Sequence, residues 1–361
     1  LIKNVKFESI DCVAVSPGIN LDNKIKSELN NNNISIINDL YLFANQLNRK
    51  NLKLIGVTGT NGKTTTCLLL KFFLQNHGYK VEAVGNIGRP VLDILPIKDL
   101  EILIIELSSF QLEIVNELKF DVGITLNISE DHLDRYNSFQ DYADAKKNLH
   151  TQSTKKIINY DDLTLQNWHD KDTISLTYEF KEGVSDYYIN TNQKKNLIRD
   201  KKDFKYNVSA TKLEGEHNIF NLMATIAAVR LINPNFDFDN ISLKKFQAIP
   251  HRLEWVRNIK GINFYNDSKA TNVASTIAAI RSFPNKKIHL IVGGDSKNQS
   301  LEPLENFLKK NVCSLALIGK DAKLFQEKFC HIDHLKMKIF KSMNCAVKFA
   351  LSIAKQDHIV M

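Results

Sequence analysis

The spacing of apolar and polar positions predicts short buried strands that alternate with helices along most of the chain. Apolar, β-branched runs predict strands at residues 10–15, 52–58, 81–84, 100–107, 122–126 and 288–292. Helical spacing of apolar residues predicts helices at residues 38–47, 63–77, 141–150, 222–231 and 344–355. This alternation favours an α/β fold, with a parallel sheet covered by helices on both faces. Residues 155–210 instead alternate short β runs with polar turns, and they predict a peripheral antiparallel patch.

One junction between a strand and a helix carries a recognisable chemistry. Residues 56–65 read Gly-Val-Thr-Gly-Thr-Asn-Gly-Lys-Thr-Thr, although the common phosphate-loop spacing would place a glycine at Val57. Glycines let backbone N–H groups surround phosphate oxygens, and a helix N-terminus favours anions. Lys63 adds a mobile positive charge, and the Thr64 hydroxyl can bind Mg²⁺. The stretch predicts a nucleoside triphosphate site; the alternative is a glycine-rich turn that binds nothing.

Polar side chains also follow other predicted strands, at the edge where open α/β sheets bind ligands. Glu106 ends one strand, and a buried carboxylate there is costly unless a cation meets it, so it is a candidate Mg²⁺ ligand. His132 follows the next strand, and its residue type alone fits a ligand as well as a capping or surface histidine. Lys146 lies on the predicted helix 141–150, where sequence alone assigns it to a solvated face.

Composition excludes several classes of protein. The 361 residues are 43% hydrophobic and 24% charged, which is ordinary for a globular protein of two or three domains. The net charge of +8 is scattered, without basic runs among aromatics, so anionic small substrates explain it and no nucleic-acid partner is expected. No apolar run approaches the roughly 20 residues of a membrane span, and no signal segment opens the chain. We therefore expect a cytoplasmic monomer without a membrane partner. The five separated cysteines suggest neither a disulfide framework nor a zinc site.

Several motifs resemble those of the Mur ligase family, the ATP-dependent amide-bond-forming enzymes that build the peptidoglycan stem peptide. They are Gly-Thr-Asn-Gly-Lys-Thr-Thr, Glu-Leu-Ser-Ser-Phe-Gln-Leu, Asp-His-Leu-Asp-Arg-Tyr, Pro-His-Arg and Asn-Asp-Ser-Lys-Ala-Thr-Asn. The resemblance runs from about residue 10 to the last residue. It implies the remnant of a Rossmann-like N-terminal domain at 1–48, a P-loop-type central ATPase domain at 49–248 and an incomplete Rossmann-like C-terminal domain at 249–361. We accordingly expect a chain truncated at both ends.

The resemblance also implies roles for individual residues. The implied ATP-binding residues are Gly59, Thr60, Asn61, Gly62, Lys63, Thr64, Thr65, Asn218, Asn221, Arg252 and Asp267. The implied ligands of two Mg²⁺ ions are Thr64, Glu106, His132 and Lys146, the last as a carbamylated lysine. The implied catalytic residues are Lys63, Glu106, His132, Lys146 and Arg252. Residue type alone leaves alternatives open: the asparagines also suit a helix cap, and the adjacent Lys147 could replace Lys146.

By the same resemblance, the substrates are ATP, UDP-N-acetylmuramoyl-L-alanine and D-glutamate. The implied contacts to the UDP-sugar come from Ser16, Pro17, Gly18, Asn86 and Ser108. The implied contacts to D-glutamate come from Lys269, Thr271 and Lys297. The alternatives are that these lysines are solvated surface residues and that the neighbouring Asp267 caps a helix. The L-alanyl carboxylate would take the γ-phosphoryl group of ATP, and the D-glutamate amine would then attack the acyl phosphate.

Two other functions fit the sequence. A folylpolyglutamate synthetase-like ligase would have the same fold and another substrate, which a panel of D-glutamate, L-glutamate and folate distinguishes. A nucleotide-binding fragment without ligase turnover would bind ATP but release no ADP when all substrates are present.

Overall fold

The computed structural model describes residues 10–19, 21–114, 118–190, 197–208, 215–238, 243, 246 and 250–361. The chain divides into two units by its internal contacts. The first comprises residues 1–128, 138–210 and 220–246, and the second comprises residues 129–137, 211–219 and 247–361. The predicted domain boundary at residue 248 and the first nine residues of the predicted N-terminal remnant lie outside the described residues.

The first unit is built around one large sheet. The strands of this unit are β1 (Cys12–Ala14), β2 (Ser35–Ile37), β3 (Lys53–Thr58), β4 (Val81–Gly85), β5 (Ile102–Glu106), β6 (Phe120–Thr125), β7 (Ser153–Asn159), β8 (Thr173–Thr177), β9 (Tyr187–Asn190), β10 (Leu197–Asp200) and β11 (Lys205–Asn207). Its helices are α1 (Asn23–Asn31), α2 (Asp39–Gln46), α3 (Lys63–Asn76), α4 (Ser109–Leu112), α5 (Phe139–Thr151), α6 (Leu163–Gln166) and most of α7 (Glu216–Ile232), with a 3₁₀ helix at Val91–Ile94.

The large sheet has the strand order β11-β10-β9-β8-β7-β6-β3-β5-β4, and β1 pairs with β2 in a separate parallel ribbon. The pairs from β4 to β9 are parallel. Strands β3 and β5 are buried along nearly their whole length, as expected where both faces of a parallel sheet are covered. Side chains of α2, including Leu40 and Phe43, pack into a core with Leu54 and Leu103 of this sheet. The predicted α/β fold is confirmed.

The predicted antiparallel patch at residues 155–210 is wrong for its first half. Strands β7, β8 and β9 extend the parallel sheet, and only the β9–β10 and β10–β11 pairs are antiparallel. The segment between β7 and β8 contains α6, which Asp162 caps by accepting hydrogen bonds from the Thr164 and Leu165 amides. This short helix lies in the crossover that a parallel pair requires, and its four residues are too few to show a helical period in the sequence.

Helix α7 begins six residues earlier than predicted, at Glu216. Gly215 precedes it with a φ of +89°, a left-handed backbone that glycine adopts without strain. Asn218 and Asn221 therefore lie inside the helix instead of in front of it.

The second unit contains a smaller sheet. Its strands are β12 (Glu254–Ile259), β13 (Ile262–Asn266), β14 (Ile288–Gly293), β15 (Val312–Ile318), β16 (Lys336–Ile339) and β17 (Ile359–Val360). Its helices, besides the start of α7, are α8 (Val273–Arg281), α9 (Glu302–Asn311), α10 (Ala322–Phe329) and α11 (Met343–Ile353). The strand order is β12-β13-β17-β14-β15-β16, and only β12 pairs in the antiparallel direction within this sheet. Its core joins apolar residues of α8 and α9 to those of β14 and β15.

Across the described residues, no helix has both the length and the apolar character needed to cross a membrane.

Candidate functional site

The glycine-rich turn joins β3 to α3, as predicted. Gly62 stands at the N-cap of α3 with a φ of +87°, and a Cβ there would come within 2.3 Å of Asn221 Oδ1. Only glycine fits both the backbone conformation and this close approach. The structure thus brings Asn221 of α7 against the turn. Thr64 and Thr65 follow in the first turn of α3 and are buried.

Asn127, which follows β6, holds the turn in place. Its backbone carbonyl accepts a hydrogen bond from the Thr60 amide at 2.8 Å, and its Oδ1 accepts one from the Asn61 amide, also at 2.8 Å. Its Nδ2 donates to the Asn61 carbonyl at 3.1 Å. These paired hydrogen bonds resemble those between two neighbouring β-strands. They fix the orientation of the peptide groups on both sides of Asn61. Asn127 therefore orients the turn, a role that its residue type did not predict.

Two lysines meet at one carbonyl oxygen of the turn. Lys63 Nζ donates to Gly59 O at 2.8 Å and to Thr60 O at 2.9 Å. Lys146 Nζ, from α5, donates to the same Gly59 O at 3.0 Å. The Lys146 side chain is only 2% exposed, so the predicted solvated face is wrong for this residue. Lys147 instead lies beside the Trp168 ring, at 6.0 Å from its centroid. The structure therefore turns Lys146, and not Lys147, towards the phosphate loop.

Tyr142 supports both the turn and Lys146. It lies one helical turn before Lys146 on α5 and is 1% exposed. Its hydroxyl shares a hydrogen bond of 2.9 Å with the Thr60 hydroxyl, and the Lys146 ammonium lies 4.9 Å from its ring centroid. A cation over an aromatic face is stabilised by the ring quadrupole. Tyr142 thereby ties α5 to the turn.

Glu106 is a buried carboxylate beside the phosphate loop. It ends β5 in register with Val57, which lies just before the turn, and it is 1% exposed. Asn86 Nδ2 donates to its Oε1 at 3.0 Å, whereas its Oε2 is buried with no hydrogen-bond partner among the described residues. The same neighbourhood acts on the buried Cys67: burial raises the pKa of this thiol, the Glu106 carboxylate raises it further, and Lys63 lowers it. Glu106 and Lys63 therefore act on one small region of α3.

The unpartnered oxygen of Glu106 and the Thr64 hydroxyl, in the first turn of α3, are groups of the kind that Mg²⁺ binds. Within the described ranges, no group of three or more His, Cys, Asp or Glu side chains is arranged to hold a metal ion. Mg²⁺ commonly uses one or two carboxylates and completes its shell with substrate phosphates and water. A single buried carboxylate beside a phosphate loop suits that mode of binding.

The residues predicted for the UDP-sugar all lie in the first unit. Ser16, Pro17 and Gly18 form a turn after β1, in which the Ile19 amide donates to Ser16 O at 2.9 Å. Asn86 is the hydrogen-bond partner of Glu106 described above. Ser108 caps α4 through a capping box with Gln111, in which its hydroxyl accepts a hydrogen bond from the Gln111 amide. Their contact with a sugar nucleotide stays a prediction.

His132 belongs to the second unit, whereas the other predicted metal ligands lie in the first. It has a left-handed backbone with a φ of +57°, and its Nε2 lies 3.8 Å from Asp131 Oδ2. Its role as a Mg²⁺ ligand stays a prediction.

Arg252 stands in a constrained turn of the second unit. His251 and Leu253 flank it with φ values of +65° and +45°, which are uncommon for non-glycine residues. The turn is fixed by Asp267, whose Oδ1 accepts the Leu253 amide at 2.8 Å. Burial raises the pKa of Asp267, while the Leu253 amide and Arg252 lower it. Burial, followed by the charge of Arg252, lowers the pKa of His217. Asp267 is not a helix cap, because Asn272 caps α8.

The residues predicted for D-glutamate differ in their surroundings. Lys269 and Thr271 are exposed, between β13 and α8. Lys297 follows β14 and is partly buried, and its ammonium donates to Asp131 Oδ1 at 3.0 Å. Asn218, predicted near ATP, lies in the first turn of α7 within the second unit.

Three residues of these arrangements were not predicted from the sequence: Asn127, Asp131 and Tyr142. Each acts by contact with a residue far away along the chain, which no local pattern reveals. Within the sequence, these residues could have been found only by their positions: Asn127 and Asp131 follow a strand end, and Tyr142 precedes Lys146 by one helical turn.

Comparison with known proteins identifies the family of the chain. Residues 57–229 match the model of the Mur ligase middle domain, and residues 251–361 match that of the Mur ligase glutamate ligase domain. The chain is 32% identical over 374 aligned positions to the UDP-N-acetylmuramoylalanine--D-glutamate ligase of Nitrosomonas europaea, covering 100% of this chain and 79% of that relative. It is 36% identical over 360 positions to the protein of the same name from Clostridioides difficile, covering 98% and 79% of the two chains.

Solved structures support the fold. A crystal structure of MurF ligase from Thermotoga maritima in complex with ADP aligns with a TM-score of 0.71 at 15% identity, over 98% of this chain and 92% of that one. A pseudomurein peptide ligase type C from Methanothermus fervidus aligns with a TM-score of 0.68 at 20% identity, over 98% and 84%. At these identities the likeness concerns the fold alone.

Proposed function

Because the chain belongs to the Mur ligase family, we propose that it is an ATP-dependent ligase that joins D-glutamate to UDP-N-acetylmuramoyl-L-alanine. The reaction would be a step in peptidoglycan precursor synthesis. The observation that carries the proposal is the alignment of nearly the whole chain with relatives named for this reaction. The units support it separately: the first has a phosphate loop, and the second has lysines suited to carboxylates.

The first chemical step would be phosphorylation of the L-alanyl carboxylate by ATP. A carboxylate that attacks a phosphate must approach another anion, so the site has to offset their repulsion. Lys63 supplies a positive charge at the phosphate loop, and we assign Arg252 of the second unit to the same task because a guanidinium suits the oxygens of a transferring phosphoryl group. We assign the nucleotide to the loop from Gly59 to Thr65, with Asn127 orienting the loop and with Asn218, Asn221 and Asp267 as further contacts.

Glu106 and Thr64 would hold Mg²⁺. When bound there, the ion would supply positive charge to the phosphate oxygens and would screen the Glu106 carboxylate, whose Oε2 has no protein partner among the described residues. We keep His132 and a carbamylated Lys146 as candidate ligands, and a second Mg²⁺ as a candidate cofactor.

The second step would be attack of the D-glutamate amine on the acyl phosphate. This requires the amino acid to be held by its carboxylates, so that the amine stays available. We assign Lys269, Thr271 and Lys297 to the carboxylates. We assign Ser16, Pro17, Gly18, Asn86 and Ser108 to the UDP-sugar. Residues 49–248 would form the ATP-binding domain and residues 249–361 the amino-acid-binding domain, after an N-terminal segment at 1–48.

The geometry of Lys146 supports its carbamylation. Two ammonium groups, those of the partly buried Lys63 and the buried Lys146, donate to the single oxygen Gly59 O. Like charges at this range repel each other. A neutral Lys146 amine could attack CO₂, forming an N–C bond and releasing a proton. The resulting carbamate would replace a repelling cation with an anion.

We expect Lys146→Ala to lower ADP release by about a hundredfold or more, because it removes a charged group from beside the phosphates. Added acetate or formate should restore part of the rate, since a small carboxylate can occupy the space left by the carbamate. The measurement is ADP release with and without the added acid. Lys147→Ala is the matched control and should keep nearly the full rate, because Lys147 lies beside Trp168. Rescue at position 147 alone would contradict the assignment.

The proposed function is tested by a substrate panel. With ATP, Mg²⁺ and UDP-N-acetylmuramoyl-L-alanine present, we expect ADP release to depend on D-glutamate and not on L-glutamate or folate. The ligated product should be detected by mass spectrometry. Turnover with a folate substrate, or ATP binding without ADP release under all conditions, would exclude the proposed reaction.

A further inference from the structure

The second unit contains a partly buried ion pair between Asp131 and Lys297, and the assignments above give no role to its carboxylate. Asp131 is only 5% exposed, and its Oδ1 accepts a hydrogen bond from the Lys297 ammonium at 3.0 Å. Asn272 Nδ2 lies 3.3 Å from Oδ2, and Gln299 Nε2 lies 3.4 Å from Oδ1. Asp131 thus gathers donors from the start of α8 and from the segment after β14.

The partners of Asp131 are themselves held in place. Asn272 caps α8 through Oδ1, which accepts the Ser275 amide at 2.8 Å, so its Nδ2 is the end left for Asp131. Gln299 Oε1 accepts the Val273 amide at 3.0 Å, which leaves its Nε2 for the same carboxylate. Both amide side chains therefore have fixed orientations. A carboxylate surrounded by fixed donors is itself well positioned.

The backbone on both sides of the ion pair is strained. Lys297 and Asn298 have φ values of +51° and +58°, and His132, next to Asp131, has a φ of +57°. Non-glycine residues keep such conformations only where surrounding contacts hold them, and this strain concentrates at functional sites. Lys297 is also the only predicted D-glutamate lysine that the described structure gives a carboxylate partner: Lys269 is exposed and Lys297 is not.

We propose that Asp131 is a positioning residue for D-glutamate, which acts by holding the Lys297 ammonium where the amino-acid carboxylate is received. This rests on the proposed function and deepens it. A flexible lysine loses several rotatable bonds of freedom when it binds a substrate. Because Asp131 already holds Lys297 in the folded protein, this conformational entropy is lost during folding and does not weaken substrate binding. The ammonium has further donor N–H groups for the substrate.

The first test compares Michaelis constants for two substrates. Asp131→Asn keeps the size and the Oδ1 acceptor but removes the charge, and we expect it to raise the KM for D-glutamate about tenfold, the effect of losing one charge-assisted contact. The KM for ATP should change by less than about twofold. A merely structural defect would alter both constants and the thermal unfolding temperature. Glu305→Gln is the matched control, since Glu305 pairs with Lys309 on the exposed face of α9.

A double-mutant cycle tests whether Asp131 acts through Lys297. If it does, Asp131→Asn should add little to the effect of Lys297→Ala on the KM for D-glutamate, since residues that act as one unit are not additive. Fully additive effects would overturn the proposal. A lower KM in Asp131→Asn would overturn it too, because it would mean that the carboxylate only repels the anionic substrate.

A second measurement reports the ion pair without turnover. The Lys297 ammonium is partly buried and held against Asp131 at 3.0 Å, so its nitrogen is shielded from an acylating reagent. With acetic anhydride and peptide mass spectrometry, we expect Asp131→Asn to speed acetylation of Lys297 at least about threefold and to leave Lys309 unchanged. Glu305→Gln should speed acetylation of Lys309 and leave that of Lys297 unchanged. Unchanged Lys297 reactivity would overturn the proposal even if the ligase reaction is established. Faster acetylation of Lys297 together with failure of the substrate panel would leave the ion pair in place but overturn the reaction, and with it the role towards D-glutamate.

Discussion

Replacing Glu106 with glutamine is expected to reduce Mg²⁺-dependent ADP release at least about a thousandfold. The change keeps the size of the side chain and the acceptor for Asn86, but it removes the charge and puts an amide nitrogen or a neutral oxygen at the unpartnered position. A metal ligand contributes several kcal/mol to the stabilisation of phosphoryl transfer, and about 1.4 kcal/mol corresponds to a tenfold change in rate. Because the oxygen that binds the ion would be the one affected, the loss should exceed that of any other neutral substitution in the first unit.

The measurement for Glu106→Gln is ADP release across a Mg²⁺ titration, together with nucleotide binding by calorimetry with and without the ion. Glu82→Gln is the matched control, because Glu82 on β4 is half-buried and pairs with Lys71 at 2.8 Å, away from the turn. We expect the Mg²⁺ dependence of nucleotide binding to disappear in Glu106→Gln and to persist in Glu82→Gln. Normal Mg²⁺ dependence in both variants would contradict the assignment of the metal site.

Lys63→Ala is expected to reduce ADP release by at least about a hundredfold while the protein stays folded. The ammonium of Lys63 donates to two carbonyls of its own loop, and Lys146 still donates to one of them, Gly59 O, when Lys63 is removed. What is lost is a positive charge for the phosphates, and one preorganised donor at a transition state contributes about a hundredfold or more. ADP release and far-ultraviolet circular dichroism together test this expectation.

The control for Lys63→Ala comes from the same helix. Lys71→Ala removes a lysine of α3 that pairs with Glu82 and has no contact with the turn. It should keep nearly the full rate of ADP release. Equal losses in the two variants would mean that the charge of the helix as a whole matters, and that Lys63 has no special role at the phosphates.

The parts of the fold and site that could be predicted lie close together in the sequence. The strand, turn and helix around Gly62 form one continuous stretch, and each part has its own local signal in apolar spacing, glycine or lysine. The same holds for Glu106, because a charged residue that ends an apolar run is visible without any knowledge of the fold.

What the sequence could not show depends on contacts between distant segments. Gly62 needs to lack a side chain because Asn221 approaches it from another helix, and Lys146 is buried because the turn reaches it across the sheet edge. The pairing of Asp131 with Lys297 likewise joins residues that no period or spacing connects. The start of α7 was placed too late because its first residues are polar, and the parallel direction of β7 to β9 was missed because turns between them resembled hairpin signals.

The position of β17 has a consequence for how the second unit forms. This two-residue strand follows every other strand of its sheet in the sequence, yet it lies between β13 and β14 and pairs with both. During synthesis, β13 and β14 leave the ribosome long before the residues that separate them. Until residues 359 and 360 arrive, each presents an unpaired edge to the other or to a neighbouring nascent chain, the situation that favours mispairing and aggregation. The joining of the β12–β13 pair to the β14–β15–β16 strands therefore needs residues 359 and 360, which are made after all five of these strands.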